Sequence, residues 1–349
     1  SKSGYQPGQD PEGQMTRFDA ESLLREKRGD RQAFMTAGGV AIKHDRDGLA
    51  PFVANARFTT ADFFPMFDAP LAYGRAWPAG YGRARARVAV ISSELNENLF
   101  GGGNSVGKTV RLEQNDFKII GVLKPWRLKP KFYDLTQSRF GNEEQVYIPF
   151  WTSRALDLSP NGNMNCWGGD DQDEEGQHGL NANCAWLQYW VELDSPSKAQ
   201  AYLQYLKNYS DQQRAAGRFE RPTNARLDNV MAWMDTNGVV PQDVRLQGWL
   251  AFGFLFVCLV NTIGLLLAKF LRRSSEIGVR RALGATKRTL FLQYLVEAGV
   301  IGLAGGALGL GFALLGLWAV RQQPADYAAL ARLDGTMLLT AVALSLIAS

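Results

Sequence analysis

Apolar positions are distributed very unevenly along this chain. Leu246 to Ala268 and Ala298 to Val320 each run 23 residues without a charged side chain. Arg245 and Lys269 bracket the first run, Glu297 and Arg321 the second. As helix, at ~1.5 Å per residue, either run would extend about 34 Å, enough to cross a hydrocarbon core of ~30 Å. A third apolar run, 335–349, contains no charged side chain. Before about residue 240 the apolar runs are short and are separated by Gly, Pro, Asn and Asp. That contrast predicts a wet domain over 1–240 and a membrane region over 241–349.

Within the wet domain the patterning predicts a helix over 15–30, with Leu23 and Leu24 inward, and strands over 36–42 and 51–59. A short helix over 59–67 is expected with Thr60 at its N-cap. Strands follow at 87–91, 108–112, 116–123, 145–150 and 185–193, with a helix to Phe100 capped by Ser92 or Ser93. Residues 159–183 read as a long polar loop. Ser195-Pro196 opens a helix to about Ala216, with serine at N-cap and proline at N1. Pro241 is expected to begin a helix that runs unbroken into the first span. The fold class is therefore an α+β outer domain, with a β-rich, loop-rich insertion around 125–190, attached to an α-helical bundle.

Composition alone conceals this. A mean hydropathy of -0.18 and a net charge of +4 average a polar part with a dry one. The charges between the spans are more informative. Lys269, Arg272, Arg273, Arg280, Arg281, Lys287 and Arg288 are opposed by Glu276 alone, whereas Arg321 and Arg332 are balanced by Asp326 and Asp334. The positive-inside rule then puts 269–288 in the cytoplasm and 1–240 outside. Exporting a domain of that size calls for a membrane helix before Ser1, and the third apolar run calls for completion after Ser349. Four spans are expected in the full protein.

Several constellations invite a chemical reading. GGNSVGKT (102–109) satisfies the phosphate-loop pattern, and GNSVG (103–107) satisfies the nucleophile-elbow pattern. Both patterns work only when a strand enters and a helix leaves. Here a helix through Leu95 and Leu99 enters and a strand through Val110 and Leu112 leaves, so a glycine-rich turn is expected. His44 and His178, the chain's two histidines, lie in polar loops with nothing tying them to Ser105. A membrane-anchored hydrolase or NTPase is the reading from another class, and it fails on this context. Asp170, Asp171, Asp173, Glu174 and Glu175 lack the alternating spacing of a calcium loop and read as a solvated acidic loop. No catalytic or metal-binding residues are expected, and no basic-aromatic interleaving suggests nucleic acid. Cys258 lies inside a span. Cys166 and Cys184 face an oxidising compartment, where a disulfide and two free thiols are both open.

The spans contain no ionisable side chain, so energy is expected to enter from outside the membrane. Gly302/Gly306 and Gly305/Gly309 are small-xxx-small pairs, suited either to packing within one subunit or to a dimer seam. Between the spans, Ser274 or Ser275 is expected to cap a helix over 274–285, with Glu276 in its first turn and Gly284 at its stop. It is either an interfacial helix among lipid headgroups or a docking element.

The segment NTIGLLLAKFLRRSSEIGVRRALGATKRTLFLQYLVEAGVIGLAGGALG (261–309) resembles the membrane core of MacB/FtsX-type ABC transporter permeases. FTTADFFPMFDAPLAYGRAW (58–77) and VAVISSELNENLFGGGNSVGKTVRLEQNDFKIIGVL (88–123) resemble the MacB-like periplasmic core domain. The resemblance weakens over 125–184. It implies that Glu276, Ile277, Gly278, Val279, Arg280, Arg281, Ala282, Leu283, Gly284 and Ala285 form the helix that engages an ABC ATPase subunit. It also implies a dimer with a second permease copy or paralogue in the inner membrane. No cofactor would be held by this chain, and the ATP and magnesium would belong to the ATPase, separate or fused. A periplasmic adaptor and an outer-membrane channel are further partners of the family. The expected task is mechanical coupling for efflux of peptides, antibiotics or amphiphiles, with lipoprotein release or control of a cell-wall hydrolase as the alternative.

Overall fold

The computed structural model describes residues 13–43, 51–135, 141, 143–167, 176–239, 242–322, 335–336 and 339–340. The chain forms two compact units, Ser1–Val239 and Val240–Ser349. The first opens with β1 (Met15–Thr16), α1 (Arg17–Glu26), β2 (Arg31–Lys43), β3 (Phe52–Thr59), α2 (Phe63–Met66) and β4 (Leu71–Gly74). It continues with α3 (Ala79–Arg83), β5 (Val88–Ile91), α4 (Ser93–Phe100), β6 (Thr109–Leu112), β7 (Asn115–Leu123) and β8 (Val146–Pro149). Then follow α5 (Phe150–Ala155), β9 (Pro160–Asn161), β10 (Asn165–Cys166), β11 (Cys184–Glu192), α6 (Pro196–Ala215) and α7 (Val230–Thr236).

The strands make one mixed sheet in the order β1-β11-β2-β3-β8-β5-β7-β4, with β6, β9 and β10 pairing off this path. β3–β8 and β5–β7 are parallel. Alternation divides the central strands between two apolar cores. Phe34, Phe58, Ala89, Ile91, Val146 and Ile148 face one, packed under Leu95 and Leu99 of α4. Met35, Val88, Val90 and Tyr147 face the other, beneath Phe63, Phe64 and Trp77. A sheet covered on both faces needs apolar side chains at successive positions, which is why VAVI and VYIP contain no charge.

The expected elements shift where tertiary pairing outweighs local signals. The helix expected over 15–30 covers only Arg17–Glu26: Met15 and Thr16 pair with β11, and Lys27 leaves the helix with φ 48°. Thr60 does not cap α2. Asp62 holds that place without a side-chain cap bond, because its carboxylate accepts from the Gln32 amide at 3.1 Å. The strand expected over 145–150 stops at Pro149, where α5 begins. The polar stretch 159–183 contains β9, β10 and a 3-10 turn, Gly176–His178. Ser92 and Ser195 do cap α4 and α6, accepting from the amides of Leu95 and Lys198.

The second unit holds α8 (Gln242–Arg272), α9 (Ser274–Ala282) and α10 (Lys287–Arg321). Leu246–Lys269 and Lys287–Ala319 are long and apolar enough to cross a membrane. Of the third apolar run, only 335–336 and 339–340 are among the described residues, and the rest lies outside them.

Candidate functional site

The loop carrying both catalytic-looking motifs is a helix-to-strand turn. α4 enters it and β6 leaves it, and Gly101, Gly102, Gly103 and Gly107 take the positive φ that the reversal needs. Several of its polar groups are committed within the protein. The Gly107 amide donates to the Ile119 carbonyl at 2.8 Å, Lys108 N to Ser105 O at 3.1 Å, and Val106 N to Asn104 Oδ1 at 3.1 Å. Ser105 is fully buried and its hydroxyl donates to Asn96 Oδ1 at 2.5 Å. The Lys108 ammonium sits 4.9 Å from the centre of the Phe100 ring. A phosphate would find no helix N-terminus there, because the helix enters the loop and a strand leaves it. His178 packs on Trp186, while His44 and the five acidic positions of 170–175 lie outside the described residues. Among the described residues, no cluster of His, Cys, Asp and Glu could hold a metal.

The segment between the membrane-length helices is more constructive. One residue, Arg273, separates α8 from α9. Its amide donates to the Lys269 carbonyl, and its carbonyl accepts from Ile277 at 3.1 Å. Neither Ser274 nor Ser275 caps α9: both lie inside the helix, and Arg273 occupies the N-cap with no side-chain bond. α9 ends at Ala282, three residues before the expected limit, and Leu283–Ala285 forms its stop. Gly284 takes φ 98°, its amide donates to Arg281 O at 3.1 Å, and Ala285 N donates to Arg280 O at 3.0 Å. This is the Schellman arrangement, which needs a left-handed residue at that position. Thr286 then caps α10, accepting from Thr289 N at 3.2 Å.

Side chains on α9 divide by role. Ile277 and Arg280 are half-buried, and Arg280 donates to Glu276 at 2.6 Å and to Gln293 of α10 at 3.1 Å. Val279 (60% exposed) and Leu283 (83%) lie one turn apart on the open side, beside exposed Ala282 and Gly278. Arg281 is exposed and makes no ion pair among the described residues. The result is a small apolar surface edged by positive charge. At the base of α10, Glu297 accepts from Lys269 at 2.6 Å and lies 3.5 Å from Arg273. Sequence reading passed over this contact, although a solitary carboxylate at the edge of a chargeless run was its signal.

On α10, a Cβ built at Gly305 or Gly309 meets nothing within 4 Å, while Gly302 and Gly306 are half-exposed. In the outer domain, Cys166 and Cys184 stand opposite each other in the β10–β11 pair and are joined as a disulfide.

The outer domain also encloses a charge cluster that no motif announced. Arg57 on β3, 1% exposed, donates to Asp134 at 2.6 Å and to Glu144 at 3.1 Å. Glu144 also accepts from Tyr133 at 2.7 Å and from Lys131 at 3.1 Å. Burial alone would raise the Glu144 carboxyl, but the Arg57 and Lys131 cations and the hydrogen bonds from Arg57 and Tyr133 hold it at about 2. Burial pushes the Tyr133 hydroxyl well up, and the neighbouring Glu144 charge adds to it. The Trp126 ring stacks parallel on Tyr133, and Trp190 and Trp233 donate to the carbonyls of Tyr133 and Phe132 at 3.0 and 3.1 Å. The cluster ties Lys131, Tyr133, Asp134 and Glu144, which lie within the stretch 125–184 where the resemblance weakens, to β3.

A two-faced α/β domain followed by two membrane-length helices joined through a short basic helix is the architecture of a membrane-associated protein with a folded outer domain. The MacB-like periplasmic core domain family matches residues 3–209, and the FtsX-like permease C-terminal family matches 248–349. The chain belongs to the MacB-like family of ABC transporter permeases. It is 25% identical over 279 residues to the macrolide export ATP-binding/permease protein MacB of Bdellovibrio bacteriovorus, covering 77% of this chain and 36% of that protein. It is 23% identical over 316 residues to the pyoverdine export ATP-binding/permease protein PvdT of Pseudomonas fluorescens, covering 90% of this chain and 42% of that protein. The periplasmic region of MacB from Actinobacillus actinomycetemcomitans is similar at a TM-score of 0.41 and 16% identity, over 64% of this chain and 83% of that one. The chain spans less than half the length of these two export proteins.

Proposed function

We propose that this chain is the permease part of an ABC transporter in which a partner or fused ATPase grips α9 from the cytoplasm and so moves the outer domain. The observation that carries the reading is α9 itself. Val279 and Leu283 are exposed and apolar on a helix held between two membrane-length helices, with Arg281 beside them. A helix so short, ended by a fixed left-handed turn, passes on a push with little loss. The loop charges support a cytoplasmic position for it and an outer position for residues 1–239. ATP and magnesium belong to the ATPase. The open space at Gly305 and Gly309 supports a close approach of a second permease copy there.

The names of the relatives, macrolide export and pyoverdine export, support efflux of an amphiphile, antibiotic or peptide. An adaptor and an outer-membrane channel would complete that route. The test uses the permease co-expressed with its ATPase. Val279→Asp with Leu283→Asp is expected to reduce co-purification of the ATPase about tenfold or more, since two apolar contacts would become buried charges. Undiminished co-purification would overturn docking through this helix. ATP hydrolysis by the isolated chain that disappears on Lys108→Ala would overturn the transporter reading as a whole.

A further inference from the structure

Glu297 occupies a position that stability alone does not explain. It is the solitary carboxylate at the mouth of the chargeless run of α10, and two cations converge on it. Lys269 lies in the last turn of α8, with its Nζ 2.6 Å from Glu297 Oε1. Arg273, the single residue between α8 and α9, brings its Nη1 to 3.5 Å from the other carboxylate oxygen. All three side chains remain about 36–44% exposed, where an ion pair contributes little to stability. Glu297 nonetheless falls within the membrane-length stretch Lys287–Ala319, where an ionisable side chain is rare and calls for a role. The arrangement supplies one. A side chain on α10 holds both the end of the preceding span and the joint on which α9 turns. Arg280, bound to Glu276 and Gln293, ties α9 to α10 from the other side of that joint.

We propose that Glu297 is the positioning residue that makes the α8–α9 joint and α10 move as one body, so that displacement of α9 reaches both membrane helices together. The proposal rests on the reading of α9 as the docking element. Its predicted signature is loss of coordination without loss of docking.

The experiment places spin labels at Leu271 and Leu292, both exposed, in the permease–ATPase complex in nanodiscs. Distances are measured without nucleotide and with ATP and vanadate. In the otherwise unaltered protein, one narrow distance is expected to persist in both states. In Glu297→Gln, the ATPase still co-purifies, but the distance broadens and shifts by up to about 5 Å, one helical turn, when ATP and vanadate are added. Glu297→Asp, which keeps the carboxylate against both cations, is expected to retain the narrow distance that Glu297→Gln loses. Three results would overturn the proposal: an invariant narrow distance in Glu297→Gln, a Glu297→Asp protein no better than Glu297→Gln, or a Glu297→Gln protein that sheds its ATPase. Failure of the docking reading shows separately, as ATPase retained by Val279→Asp with Leu283→Asp.

Discussion

Glu144 shows what a buried charge does in the outer domain. Its folded-state value of about 2 lies below the ordinary 4.5, so its contribution to stability is complete above pH 4.5 and is withdrawn as pH falls toward 2. The amount at stake is on the order of 3 kcal/mol. Urea melts of the purified protein, followed by tryptophan fluorescence, should show a midpoint that drops over that pH window. The drop should be absent in Glu144→Gln, which will itself be less stable at neutral pH. Arg57→Ala removes the cation shared by two buried carboxylates and should cost about 3–5 kcal/mol in the same melts. None of this was legible in the sequence. Arg57 meets Asp134 and Glu144 across separations of 77 and 87 residues, which no local pattern records. Gly284 is the opposite case. A glycine after a helical run with a basic last turn is a local signal, and the left-handed stop it forms is equally local. Gly284→Ala should cost the α9 stop about 1 kcal/mol. Faster amide exchange of Gly284 and Ala285 would register it.

Elements were legible where one side chain or one run of pattern decides them. Ser92 and Ser195 sit where caps were expected, because an N-cap needs only the three residues that follow. The glycine-rich loop was readable for the same reason: the order of its neighbours, helix then strand, excludes a phosphate loop however well the letters match. Lys108→Ala should leave the ATPase activity of the permease–ATPase complex unchanged, measured at saturating ATP. α5 escaped because VYIPF reads as one apolar run, and only the turn at Pro149 divides strand from helix. The cap expected at Ser274 or Ser275 falls to Arg273, because α9 begins one residue after α8 ends and takes both serines into its first turn. Val279 lies on α9 and Leu283 at its C-cap, one residue past the last helical position, whereas the ion pair at Glu297 joins two helices and has no local pattern.

On the scale of the whole molecule, the division at about residue 240 and the two membrane-length helices could be read directly from where charge is missing. Strand order could not: β8 lies between β3 and β5, and β11 between β1 and β2, so neighbours in the sheet are distant in the chain. The Cys166–Cys184 pairing depends on that order, because β10 is opposite the start of β11. Its sequence separation of 18 closes a loop whose opening should cost about 3 kcal/mol, read as a lower urea midpoint in Cys166→Ser with Cys184→Ser. The one-residue joint at Arg273 has a last consequence. It makes the register of α9 a phase, fixed by counting residues from the end of α8. Each residue inserted ahead of Ser274 would turn Val279 and Leu283 about the helix axis by about 100°. This segment should therefore tolerate many substitutions and hardly any change of length.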